Sequence, residues 1–390
     1  MKIALILSQS NGGLPHYTAQ LANSLANSEN VAVFKPTNTT ADGIFNKDVE
    51  IFEIFEPLSF SLVDFDTRDI SFIESLRGIL SYRKISKIRD FDPDLVHVPV
   101  NLFPQVQLMA KLTRIDSDYP LVVTYHEVYP NKLIPDRPIP GIVHHWLNML
   151  LPSLREDHTV VHTEEAKEIL VERGYSPERI DILPHAAYDF FDEHSESVSR
   201  QDSEHTVLFF GNIVRYKDLE LLTKAIELVS ENINNLTCII AGDGDISKSA
   251  RDQIAQHPDL FEVRNEFIPN DEVGRLFSRA DVLALPYRSR DGKMGHSGVQ
   301  TIAHSFGLPI VATDVGEFPD LVEGSGAGLT SPEGDYRRFA DNLLDILQNE
   351  ETQRRMAVSS KKRASDVSWE RIAERHLEIY ADISGRQQGL

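Results

Sequence analysis

Short runs of branched apolar residues alternate along this chain with stretches in which apolar side chains recur every three or four positions. The runs at 2–7, 31–34, 49–55, 95–100, 121–127 and 158–162 read as buried strands, and helical spacing fills most of the gaps between them. Tyr17, Leu21 and Leu25, each four apart, place a helix over about 15–27. At 189–203 the pattern stops in the polar, acidic stretch DFFDEHSESVSRQDS, which has no apolar period and reads as a linker. A second series follows, with strands at 207–210, 236–241, 261–268, 282–285 and 310–312 and helices starting near Leu219, Ser247, Asp271 and Gly298. Strands alternating with helices predict an α/β chain of two doubly wound, Rossmann-like domains with parallel sheets facing one another across a cleft. The expected boundaries are 1–190, a linker at 191–205 and 206–365.

At 390 residues and 41% apolar content the chain can bury two large cores. A net charge of −21 argues against nucleic acid as a partner and requires that any anionic ligand be met by a local positive site. The single cysteine, Cys238, lies in an apolar strand-like run, so no internal disulfide forms and a reducing, cytoplasmic setting is expected. The five-residue apolar run near the start is too short for a signal peptide or a membrane span and reads as a first strand. A basic helical segment at 70–89 carries Arg77, Arg83, Lys84, Lys87 and Arg89. It leaves peripheral contact with the inner face of the cell membrane open beside the plainer reading of a solvated helix face.

The chemistry gathers where strands end. The stretch 281–317 reads as strand, polar loop, helix and strand, and its helix opens at His296-Ser297-Gly298. A helix start exposes unpaired N–H groups and the positive end of the macrodipole, so it suits an anion, although Ser297 could equally serve only as a cap. After the strand at 207–210 the loop Gly211-Asn212-Ile213-Val214-Arg215-Tyr216-Lys217 sets two cations beyond a carboxyl end, which fits a diphosphate. His126-Glu127 closes the strand beginning at 121, where an imidazole can bond a sugar hydroxyl or meet developing charge. His185 follows a short strand in DILPHAAY, and Gly12-Gly13 makes a turn before the first helix. No metal motif is present, and the acidic pairs Asp64/Asp66, Asp92/Asp94 and Asp243/Asp245 read as turn chemistry.

Together these pieces resemble family 4 of the retaining glycosyltransferases, which have the GT-B fold. The likeness runs through NGGLPHY, DPDLVHV, VVTYHE, HTVVHTEEAKEILVERGYSPERIDILPH, FFGNIVRYKDLELLTKA, IIAGDGD, FSRADVLALPY and GLPIVATDVGEFPDLV. The ending VSWERIAERHLEIY is similar to a last helix that crosses back to the first domain, here 366–390. The resemblance implies transfer of a sugar, with retention, from a nucleoside diphosphate sugar to a hydroxyl of a glycan, glycolipid or polysaccharide, without a metal or other cofactor. It implies that Lys217, with Arg215 and Asn212, holds the diphosphate, and that Gly295, His296, Ser297 and Gly298 form the phosphate-cradling loop and helix start. It makes His126 a donor-sugar contact near the reacting centre, and Gly12 and Gly13 the turn facing donor and acceptor. The sequence also departs from the pattern. Met294 and Ile302 stand where the family carries two glutamates, Asn212 where it has arginine, and Asp218 and Ala186 where it has glycine. These departures keep two alternatives in view, a glycosyltransferase-like subunit without catalysis and a nucleotide-sugar epimerase of the same fold.

Overall fold

Each apolar run closes into a parallel ladder because it is apolar on both faces and needs cover on both sides. The computed structural model describes residues 1–11, 13–57, 77–78, 80–100, 105–126, 128, 156–188, 190–191, 204–289 and 297–387. By its internal contacts the chain forms two units, Met1–Pro184 with Trp369–Leu390, and His185–Ser368. Residues 192–203, most of the polar stretch read as linker, lie outside the described residues.

The first unit holds seven strands: β1 (Lys2–Ile6), β2 (Asn30–Pro36), β3 (Glu50–Phe55), β4 (Leu95–Val98), β5 (Leu121–Tyr125), β6 (His158–Val161) and β7 (Ile180–Ile182). Their order is β3-β2-β1-β4-β5-β6-β7, all parallel. The second unit holds β8 (His205–Phe210), β9 (Leu236–Ala241), β10 (Phe261–Arg264), β11 (Val282–Leu285), β12 (Ile310–Thr313) and β13 (Gly328–Ser331), in the order β10-β9-β8-β11-β12-β13. In both sheets the winding reverses beside the first strand, between β1 and β4 and between β8 and β11. The loops leaving these strands diverge to opposite faces and open a crevice at the carboxyl edge.

The short strand expected before His185 is β7, whereas β13 was not read from the sequence; at four residues it carries no usable period. Conversely, the run expected over 261–268 is a strand only to Arg264, after which Glu266 and Phe267 are exposed. In the basic segment, Tyr82, Ile85 and Ile88 turn into the first core while Arg83, Lys84, Lys87 and Arg89 face outward, and Arg89 pairs with Asp118. Residues 58–76 lie outside the described residues. Among the described residues no helix is long and apolar enough to cross a membrane.

The helix Trp369–Gln387 returns to the first unit and packs along the helix Leu14–Leu25. Trp369 is buried, with its ring edge-on to Tyr17 at 5.0 Å, and Tyr380 hydroxyl lies 2.6 Å from His97 Nδ1. Trp369→Ala therefore opens a cavity inside the first unit and is expected to cost about 3–5 kcal/mol in urea unfolding. A loss below about 1 kcal/mol would show that the returning helix is not part of that core.

Candidate functional site

The second unit's crevice is built by three loops that interlock through glycine. Gly242 and Gly244 follow β9 with φ of +148° and +146°, and a Cβ on either would strike the backbone of Gly211 or Ile213 at 2.2 and 2.1 Å. Ile213 N–H donates to Asp243 carbonyl at 2.7 Å, so the loop after β8 lies directly on the loop after β9. The acidic pair Asp243/Asp245 thus flanks a packing glycine, and Asp245 pairs with exposed Arg251.

The loop after β8 is also zipped to the loop after β11. Lys217 and Tyr287 pair as an antiparallel bridge, Arg288 N–H donates to Tyr216 carbonyl at 2.7 Å, and Asp218 N–H donates to Pro286 carbonyl at 2.6 Å. Alternation along this ladder divides its side chains between two sides. On one side Asp218 caps the helix Leu219–Ser230, accepting from Leu221 N–H, and its other oxygen accepts from Arg288 Nε at 2.6 Å. That clasp keeps Arg288 protonated above its ordinary range. On the other side stand Lys217 and Tyr287, both buried.

Lys217 Nζ sits 5.6 Å from the centre of the Tyr287 ring and 5.8 Å from that of Phe209. Its residue is 8% exposed, and among the described residues no carboxylate pairs with it. Burial alone pulls its pKa down to about 8. Gly211, at φ +97°, makes room for the ammonium: a Cβ there would lie 2.9 Å from Nζ and 3.2 Å from Val299 Cγ2. Val299 belongs to the first turn of the helix Gly298–Phe306, so the lysine and the helix start flank one glycine. Ser297 precedes that helix with extended dihedrals but does not cap it with its side chain. Its buried hydroxyl lies 3.2 Å from the Tyr287 hydroxyl instead, and Gln300 N–H turns back to the Ser297 carbonyl at 3.1 Å, so no side chain caps the helix. Tyr287 is itself clamped, its N–H donating to Thr313 Oγ1 at 2.9 Å while Thr313 hydroxyl donates back to its carbonyl at 2.6 Å.

The two loops expected to meet do meet. Arg215 and Asn212 are exposed on the same loop, and among the described residues Arg215 makes no ion pair. Gly295, His296 and Met294 lie outside the described residues. Ile302 is buried, so its position supplies no polar contact. His185 is buried with Nδ1 donating to Ala186 carbonyl, and Tyr188, 5.4 Å from its ring centre, brings an edge to within 3.6 Å of where a Gly298 Cβ would be. Sequence reading missed Tyr287, Arg288 and Tyr188, none of which carries a motif of its own.

In the first unit Gly13 caps the helix Leu14–Leu25 with φ −77°, and nothing lies within 4 Å of where its Cβ would be. Neither backbone nor packing requires glycine there; the open space faces outward. Gly12 and Glu127 lie outside the described residues. His126 stands half-buried at the end of β5, and both its ring nitrogens are engaged, Nε2 with Pro99 carbonyl at 3.0 Å and Nδ1 with His162 Nε2 at 3.1 Å. A sugar hydroxyl could bond to this ring only by displacing one of them. Among the described residues no group of three or more His, Cys, Asp or Glu is gathered to hold a metal ion.

Residues 11–187 match the profile of Glycosyltransferase Family 4, and residues 204–349 that of Glycosyl transferases group 1. The D-inositol 3-phosphate glycosyltransferase of Nocardia farcinica is 27% identical over 306 residues, 74% of this chain and 66% of that one. The matched stretch spans between 48% and 66% of the length of the first three curated relatives. Among solved structures, Anabaena Alr3699/HepE in complex with UDP and glucose superposes with a TM-score of 0.70 at 15% identity, covering 98% of this chain and all of that one. The UDP-GlcNAc 2-epimerase of Neisseria meningitidis bound to UDP-GlcNAc gives 0.60 at 13% identity, covering 98% and 100%.

The buried lysine makes a stability prediction. In the folded chain Lys217 releases its proton near pH 8, while in the unfolded chain it holds it to about 10.5. Below pH 8 the fold therefore bears the full cost of the buried charge, and that cost fades as pH rises from 8 towards 10.5. Lys217→Met is expected to stabilise the second unit at pH 7 by about 1–3 kcal/mol in urea unfolding, with a gain that shrinks above pH 8. A variant less stable than wild type at pH 7 would show that the ammonium has a partner.

Proposed function

We propose, from the premise that the chain belongs to family 4 of the GT-B glycosyltransferases, that it moves a sugar from a nucleoside diphosphate sugar to a hydroxyl of a glycan, glycolipid or polysaccharide, keeping the anomeric configuration. The observation that carries this reading is a buried lysine ammonium, with no carboxylate partner among the described residues, beside a helix start that no side chain caps, with Gly211 holding the space between them. A diphosphate entering there offsets the desolvation of Lys217 and accepts from the first amides of the helix. As the bond from sugar to phosphate breaks, negative charge grows on the leaving phosphate, and those fixed groups stabilise it without having to reorganise. Arg215 and Asn212, exposed on the same loop, add contacts at its rim. In the first unit the proposed sugar contacts are Gly13, beside open space, and the His126 ring. The phosphate-binding groups are a lysine and backbone amides, so a chelator is expected to change little. The UDP and glucose bound to Alr3699/HepE support a nucleotide-sugar donor.

Ile302 favours one second reading. Where family members place a carboxylate this chain buries an aliphatic side chain, which suits a subunit that binds nucleotide sugar without transferring it.

Calorimetry against UDP-, GDP-, ADP- and dTDP-sugars, with and without EDTA, tests the proposal. One nucleotide series is expected to bind, and Lys217→Ala should weaken it at least about tenfold, the scale of one charge-assisted contact. A bound diphosphate favours the charged lysine, so binding above pH 8 should take up a proton, read from the buffer dependence of the heat. Failure of every series to bind, or equal binding by Lys217→Ala, would overturn the assignment. Transfer to added acceptors separates an enzyme from a binding subunit, and a sugar isomerised with no acceptor present would mark an epimerase.

A further inference from the structure

The two histidines of the first unit pose a problem of proton counting. His126 Nε2 lies 3.0 Å from Pro99 carbonyl, and His162 Nδ1 lies 2.8 Å from Leu183 carbonyl. A carbonyl oxygen only accepts, so each of these nitrogens carries a proton. The remaining nitrogens, His126 Nδ1 and His162 Nε2, face one another at 3.1 Å. Were both rings neutral, two lone pairs would point at each other; were both charged, two N–H groups would. Only three protons on two rings satisfy all three contacts.

We infer that His126 and His162 hold one extra proton between them and form a monocation at the carboxyl edge of the first sheet, with His162 as the positioning residue that fixes His126. The surroundings fit a charge that stays on the pair. Tyr17, from the helix Leu14–Leu25, packs edge-on to His126 at 4.6 Å and lies 5.8 Å from His162. His97 of β4 is fully buried between Tyr380 hydroxyl and Thr124 hydroxyl, and burial holds it neutral well below the usual imidazole range. Behind it His376 of the returning helix is pulled down to about 4, also by burial. On β7 the carboxylate of Asp181 is taken by His158. The extra proton therefore resides on the His126/His162 pair, shared along the 3.1 Å contact between Nδ1 and Nε2.

The sign of the pH dependence follows. The first proton is held above the ordinary imidazole value of about 6.5, and a second would break the shared bond. The pair's stabilisation is therefore lost as pH rises through its upper midpoint. It is also lost at low pH, where the unfolded chain binds two protons and the folded pair one.

Histidine-selective 15N spectra of the full chain across pH 5–9 test this, with His126→Gln and His162→Gln to assign the signals. The expected result is one proton lost from the two rings at a common midpoint above about 6.5. In His162→Leu the Nδ1 of His126 loses its acceptor, so the proton affinity of His126 should fall about tenfold or more. The stability difference between wild type and His162→Leu should peak in mid-range and shrink on both sides. Rings that are both neutral at pH 6, rings with unrelated midpoints, or a pH-independent stability difference would each overturn the inference. Nucleotide binding through Lys217 is measured separately, so the two proposals stand or fall apart.

Discussion

A buried ammonium with no carboxylate partner among the described residues is costly, and much of the second unit is arranged to hold Lys217 in that state. Lys217 gains weak compensation from the faces of Phe209 and Tyr287, which is worth far less than an ion pair would be in the same place. The cost is tolerated because the surrounding backbone is over-determined. Gly242 and Gly244 let the loops after β9 and β8 stack at distances that any side chain would forbid, Gly211 leaves space for the ammonium, and the bridge between Lys217 and Tyr287 fixes the stem from which the ammonium projects.

The departures from the family pattern acquire physical meaning in this setting. Asp218, in place of a glycine, caps the following helix with one oxygen and clasps Arg288 with the other. That clasp lies on the opposite side of the ladder from Lys217, so it stiffens the loop without neutralising the cation. Ile302 has no such compensation in its own contacts; it is simply part of the buried face of its helix.

How much of this was legible beforehand follows from which interactions are local. The alternation of apolar runs and helical spacing determined two parallel sheets, because burial on both faces leaves a pattern within six or so residues. The loops bearing Lys217 and Ser297 were legible as well, since strand ends in an open sheet share one edge. What was lost is non-local. The meeting of Tyr287 with Lys217 spans 70 positions in the chain, as does the Arg288 to Asp218 clasp. Strand β13 is too short to show a period and is fixed only by its neighbour. His162 was read as the end of a strand; its link to His126, 36 residues away, exists only once β5 and β6 are side by side.

The same non-locality explains why the last helix belongs with the first unit. Trp369 stands edge-on to Tyr17, and Tyr17 stands edge-on to His126. Tyr380 and Thr124 together hold His97, which would otherwise be a buried ring with two unsatisfied nitrogens. The returning segment thus completes a wall of aromatic and imidazole rings behind the carboxyl edge, and it does so with residues that carry no motif. Apolar contact alone would tolerate substitution there, because dispersion is non-directional. A wall that must also orient the Nδ1 of one histidine and the Nε2 of another is far less forgiving: tilting a ring exchanges a hydrogen bond for a carbon, and the proton the pair holds has nowhere else to go.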